Sequence, residues 1–211
     1  MTKPTLKPPA LSPGDTVMLF TPGHQTNTKQ LQFAIERIES LGLEVLVPDS
    51  VLDQYGYFAG TAEARADEIH KGFADPKVKA LIAVRGGSGS SLLLSKLDYE
   101  LIRRHPKIIM GMSDVTALLI AINEQTGLTT FHGPVAGLPW PRFTSDYVKA
   151  VLFAGEAVTM KNPPADEDDL TATKNRVTVI NAGTTTGTLI GGNATVLCAM
   201  MGSSYLPQSW Q

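Results

Sequence analysis

Lys107-Ile108-Ile109-Met110-Gly111-Met112-Ser113-Asp114-Val115-Thr116-Ala117-Leu118 decides how this chain is read. The apolar run Ile108 to Met110 predicts a buried strand. It breaks at Gly111, and helical spacing begins at once with Val115, Leu118, Leu119 and Ile122. A strand, a sharp turn with serine at its apex, and a helix make the geometry of a nucleophile elbow. Such a turn lifts a hydroxyl above the carboxyl edge of a sheet. It also leaves the first backbone N–H groups of the helix free to meet an oxyanion. The elbow pattern is Gly-x-Ser-x-Gly, and here Val115 stands where the second glycine would be. The plainer role for Ser113 is a helix cap.

Outward from the elbow, strands and helices alternate. Thr16 to Phe20 predicts a first buried strand, and Leu31, Ile35, Ile38 and Leu41 a helix capped by Asn27 or Thr28 and stopped at Gly42. Leu43 to Val47 is a second strand. Thr61 caps a helix carrying Ala62, Ala66, Ile69 and Phe73, and Ala80 to Val84 is a third strand. A glycine-rich loop, a helical stretch over Leu92 to Leu97, the elbow strand and a fifth strand over Leu128 to Phe131 follow. This order implies right-handed crossovers and an α/β fold with a doubly wound, mostly parallel sheet. The acidic run Asp166 to Asp169 beside Pro163-Pro164 marks a boundary. The expected organisation is an α/β unit over 1–155, a linker over 156–176, and the beginning of a truncated α+β domain over 177–211. In that last part, strands are expected over Val177 to Asn181 and Gly187 to Ile190, and a helix over Ala194 to Met201.

A doubly wound sheet binds ligands outside the carboxyl ends of its strands, and three features fall there. The first is Ser113. The second is Arg85-Gly86-Gly87-Ser88-Gly89-Ser90, which suits either an oxyanion donor facing the elbow or a plain tight turn. The third is His132, placed as a general base or as a turn residue. Neither nucleotide fingerprint is met: Leu92 replaces the last glycine after Gly87-Ser88-Gly89, and no Gly-Lys-Ser/Thr occurs. His24 lies in a loop that reaches the crevice, whereas His70 and His105 fall in helical or surface-like stretches and are expected to be solvated. No metal-ligand spacing occurs, so neither a metal nor a cofactor is expected.

The composition narrows the classes. A formal net charge of -2 gives no electrostatic case for nucleic acid or an anionic membrane. The single cysteine, Cys198, forbids a disulfide within the chain, which fits a reducing compartment. Neither a signal-peptide core nor a bilayer-spanning run is found in the sequence, so a cytoplasmic protein is expected.

Several short motifs occur in one order: Thr21-Pro22, Tyr57-Phe58-Ala59-Gly60-Thr61 with Arg65, Asp75-Pro76, Arg85-Gly86-Gly87-x-Gly89, Gly111-Met112-Ser113-Asp114, His132-Gly133-Pro134 and Gly191-Gly192-Asn193. Together they resemble the LD-carboxypeptidase family, serine peptidases that include the microcin-immunity peptidases. Ser88 and Ala194 depart from its usual tyrosine and leucine. The resemblance implies hydrolysis of the amide between an L-residue and a C-terminal D-amino acid, as in a murein tetrapeptide losing D-alanine. Ser113 would be the nucleophile, and the backbone N–H groups of Gly87 and Asp114 the oxyanion donors. Arg85, Ser88 and His132 are candidate substrate contacts. The resemblance also implies a homodimer and a Ser-His-Glu triad whose glutamate and histidine come from a C-terminal domain. The expectation is that residues 1–211 carry the nucleophile without its base; a catalytically dead peptide-binding module is the alternative.

Overall fold

Five short runs pair side by side, all parallel, in the computed structural model, which describes residues 4–163 and 178–207. They are β1 (Thr16–Phe20), β2 (Glu44–Leu46), β3 (Val78–Ala83), β4 (Ile108–Gly111) and β5 (Phe131–His132), in spatial order β2-β1-β3-β4-β5. Between them run α1 (Thr28–Glu39), α2 (Ala62–Ala74), α3 (Tyr99–Arg104) and α4 (Thr116–Thr126); α5 (Arg142–Leu152) and α6 (Ala194–Ala199) follow. The fold is α/β and doubly wound, as the alternation of elements predicts. The order of connection reverses between β1 and β3, so the crevice opens at their carboxyl ends.

Strand alternation feeds two cores. Met18, Phe20, Leu81, Ala83 and Ile109 face α2 and α4. Val17, Leu19, Ala80, Ile82, Ile108 and Met110 face α1 and α5. Both faces are covered, which is why the strands read as unbroken apolar runs rather than alternating ones. Each fully buried aliphatic side chain contributes about 2 kcal/mol. The expected caps form: Asn27 Oδ1 accepts from Gln30 N at 2.9 Å, and Thr61 Oγ1 from Ala64 N at 3.2 Å.

Several elements differ from expectation. The helical stretch around Leu92–Leu97 is a 3-10 helix over Ser90–Lys96, with Ser90 and Leu93 buried three residues apart, the period of that tighter coil. The fifth strand begins at Phe131 rather than Leu128. Leu128 instead forms a lone parallel bridge with Leu6, and Thr129 N donates to Leu6 O at 2.8 Å. Helices α3 and α5 have no counterpart in the sequence reading. His70 lies on α2, partly buried, and its Nε2 accepts from Asp98 N at 2.9 Å.

Beyond α5, residues 156–163 have no regular structure, and the acidic run 166–169 with most of the expected linker lies outside the described residues. Of the strand expected over Val177–Asn181, Val177 also lies outside them. Residues 178–181 and 187–190 form no strand, since no described strand lies alongside to complete a ladder. Ile180 and Leu189 are 92% and 97% exposed. The expected last helix does form, as α6, and the segment around it docks on α4 with Met200 and Leu206 buried in the core there.

Candidate active site

The elbow is built from a strand that must stop and a helix that must start close by. A Cβ on Gly111 would lie 2.7 Å from Val115 Cγ1, so the glycine admits the fully buried valine that begins the helical run. The close approach usually granted by a second glycine is supplied here from the strand side. Met112 is extended, and Ser113 then takes φ 61, the sole left-handed non-glycine among the described residues. A β-carbon in that region costs about 1–3 kcal/mol and persists only where surrounding packing enforces it. Ser113 is half-buried, and among the described residues no hydrogen bond reaches its hydroxyl.

The loop after β3 closes over this turn. A Cβ on Gly86 would sit 3.0 Å from Ser113 Cβ and 3.5 Å from Asp114 N, so the two backbones meet with no room for a side chain. Gly87 adopts φ 122, and its Cβ would fall 2.4 Å from His24 Cβ; only glycine fits there. Among the described residues neither Gly87 N–H nor Asp114 N–H donates a hydrogen bond. N–H groups without a partner are the kind of donor that can receive an anionic oxygen.

The remaining candidates surround this centre at different depths. Arg85 Nη1 donates to Gln25 O at 3.1 Å and to Gln30 Oε1 at 3.4 Å, which ties the guanidinium to the start of α1. Ser88 is exposed at the loop tip. His132 ends β5 in register with Gly111, two residues before the serine, and makes no hydrogen bond to it. Desolvation pushes the His132 imidazole below its ordinary pKa. His24 Nδ1 donates to Gln25 O at 2.7 Å, and its ring meets Tyr57 edge-on at 4.0 Å between centroids. Among the described residues no three His, Cys, Asp or Glu side chains converge as metal ligands.

Three supporting contacts escaped the sequence reading. Asp114 contributes a side chain as well as an N–H, since its Oδ2 accepts from Ser90 N at 2.9 Å and Ser90 Oγ at 2.6 Å. Arg65, on α2, donates to backbone carbonyls of both crevice loops. The signal for it was an arginine on the helical stripe of Ala66, Ile69 and Phe73, where a charge does not belong. The third is Thr116 Oγ1, which accepts from Asn193 N at 3.0 Å, so the Gly191-Gly192-Asn193 turn docks one residue beyond the elbow turn.

Fold and site define an α/β protein with a strained serine set beneath a glycine loop. The chain belongs to the LD-carboxypeptidase family, whose N-terminal domain pattern matches residues 17–133. A probable murein peptide carboxypeptidase of Bacillus subtilis (strain 168) is 35% identical over 201 residues, covering 94% of this chain and 60% of the relative. The murein tetrapeptide carboxypeptidase of Pseudomonas aeruginosa is 30% identical over 194 residues, covering 89% and 60%. Among solved structures, an MccF-like protein from Bacillus anthracis superposes with TM-score 0.81 at 30% identity, covering 96% of this chain and 67% of that one. The chain thus spans 60% of the length of these two curated relatives.

Proposed function

We propose that this chain carries the nucleophile and oxyanion hole of a serine carboxypeptidase that cleaves between an L-residue and a C-terminal D-amino acid. The substrate class is a murein-tetrapeptide-like peptide, and the product is a free D-amino acid such as D-alanine. One observation carries the reading: Ser113 is held at a left-handed φ of 61 directly against Gly86, next to the unpaired Asp114 N–H. Strain of that kind at a crevice is the mark of an enforced elbow. Ser113 Oγ attacks the scissile carbonyl, whose oxygen becomes an anion held by Gly87 N–H and Asp114 N–H. The bond to the D-amino acid nitrogen then breaks, the nitrogen takes a proton, and water hydrolyses the acyl-serine. Arg85, Ser88 and His132 line the route by which the peptide and its carboxylate reach the serine.

None of the four histidines of the sequence hydrogen-bonds Ser113 among the described residues, which supports a reading in which the base comes from elsewhere. In this reading residues 1–211 acylate slowly by themselves, as triads missing a member do. The same observation favours a second reading, a peptide-binding module without turnover. The enzyme works as a homodimer in the cytoplasm in the first reading.

The test is exposure of the full chain to a fluorophosphonate and to an L-Lys-D-Ala-terminated tetrapeptide, with Ser113→Ala alongside. Slow labelling and D-alanine release that vanish in the variant support the peptidase; peptide binding with neither labelling nor release in either protein selects the binding module.

A further inference from the structure

Arg65 is 3% exposed, yet it contacts no carboxylate among the described residues. Its Nη1 donates to Pro22 O, in the loop after β1, and to Gly89 O at 3.1 Å, in the loop after β3. Nε donates to Gly60 O at 3.1 Å and Thr61 O at 3.3 Å, and the guanidinium lies over the Phe58 ring at 5.1 Å. A buried cation contributes little net stability, and an apolar side chain of similar size often serves as well. What the fork adds is geometry, since one planar group fixes carbonyls from separate loops at once.

The second attachment comes from the elbow itself. Asp114 holds Ser90, the residue after Gly89, through both its N–H and its hydroxyl. The carboxylate also leaves no space at Gly23, where a Cβ would sit 2.7 Å from Oδ2. Burial lowers the Arg65 pKa while the Asp114 charge opposes that, so the two groups sense each other across the loop they clamp. Gly87, packed against His24 but making no hydrogen bond through its N–H among the described residues, lies two residues from Gly89, where Arg65 holds the loop.

We propose that Arg65 is the positioning residue of the oxyanion hole. Its guanidinium, with Asp114 across the loop, fixes the strand-end loops 22–25 and 86–90 so that Gly87 N–H stays aimed at the oxygen developing above Ser113. The proposal rests on the peptidase reading, and it makes a separate structural claim about loop order that does not require turnover.

The test compares full-chain wild type, Arg65→Met, Arg65→Lys and the surface control Arg103→Met by amide hydrogen exchange and by steady-state peptide hydrolysis. In Arg65→Met, exchange at the two bonded amides of these loops, Ser90 N–H on Asp114 and Gln25 N–H on Tyr57 O, is expected to rise about tenfold with β3 and β4 unchanged. The kcat should fall about 100-fold with KM moved less than about threefold, the signature of a lost transition-state contact. Arg65→Lys should recover only part of either effect, because one ammonium cannot span both loops. Millimolar guanidinium, far below denaturing strength, should restore Arg65→Met toward wild type in both readouts. Unchanged loop exchange in a folded Arg65→Met protein overturns the proposal. So does raised exchange with kcat intact, which would leave a structural clamp alone. A wild type that neither turns over nor labels at Ser113 strikes the peptidase reading instead. Exchange still judges the clamp in that case.

Discussion

The two ends of the sheet are built to opposite rules. At the carboxyl end, Gly86 crowds the left-handed Ser113, Gly87 crowds His24 and Gly89 crowds Phe58, and the N–H groups of Gly87 and Asp114 have no partner among the described residues. At the amino end, polar groups find partners. Lys107, 8% exposed, donates through Nζ to Gly72 O at 3.0 Å and to Asp75 O, closing the last turn of α2 with a cation where the helix dipole favours one. The difference separates binding from support. Strain and unpaired donors are concentrated at the crevice, and the buried lysine of the other end is paired.

The largest break in this comparison should come from Gly87→Ala. Its Cβ would overlap His24 in a conformation that L-residues rarely adopt, so kcat should fall by about 100-fold or more, as with removal of an oxyanion donor. Stability should drop by about 1–3 kcal/mol in urea unfolding. Retained turnover would show that the glycine loop is not a donor.

At the supporting end, burial pushes the Lys107 ammonium down to about 8. A depressed lysine binds fewer protons in the folded state than in the unfolded chain across the window from about 8 up to 10.5. Stability relative to Lys107→Met should therefore climb with pH there, by about 3 kcal/mol at most, with peptide hydrolysis untouched. A flat difference between the two proteins over that range would contradict the burial argument.

Ser113→Gly sharpens the contrast from the other side. It removes the left-handed β-carbon, so the thermal midpoint should rise by an amount corresponding to about 1 kcal/mol, while fluorophosphonate labelling disappears. A loss of stability would mean that the serine is not strained.

The smallest effect is expected at Glu68, 6% exposed, whose carboxylate accepts from Ser50 Oγ. Burial raises its pKa above 4.5, so the folded state keeps this proton to higher pH than the unfolded chain does. Stability then falls as pH rises through the raised pKa. Glu68→Gln should thus match wild type near pH 4 and exceed it by less than about 1 kcal/mol at pH 7. A variant weaker at neutral pH would show that the charge is needed.

Much of the site could be read along the chain. Ile108 to Met110, Gly111, Ser113 and the glycine run carry their geometry within a few residues, because strand period, turn chemistry and caps are local. The clamp could not be read, since Arg65 reaches Pro22 across 43 residues and Gly89 across 24. The docking of Asn193 on Thr116 spans 77. Residues 178–190 show the reverse error. Their apolar runs predict strands, but a strand needs a neighbour, and the described residues provide none.

By itself, the sequence determined the alternation of strands and helices, the buried faces of β1, β3 and β4, and the elbow with Ser113 at its tip, because each follows from spacing and turn chemistry. Only the tertiary structure decided that Gly86 and Gly87 press against that serine and His24, that a buried arginine ties the two crevice loops, and that Val115 packs against Gly111. Those facts depend on backbones distant in sequence meeting at contact distance, and no local pattern encodes where they meet.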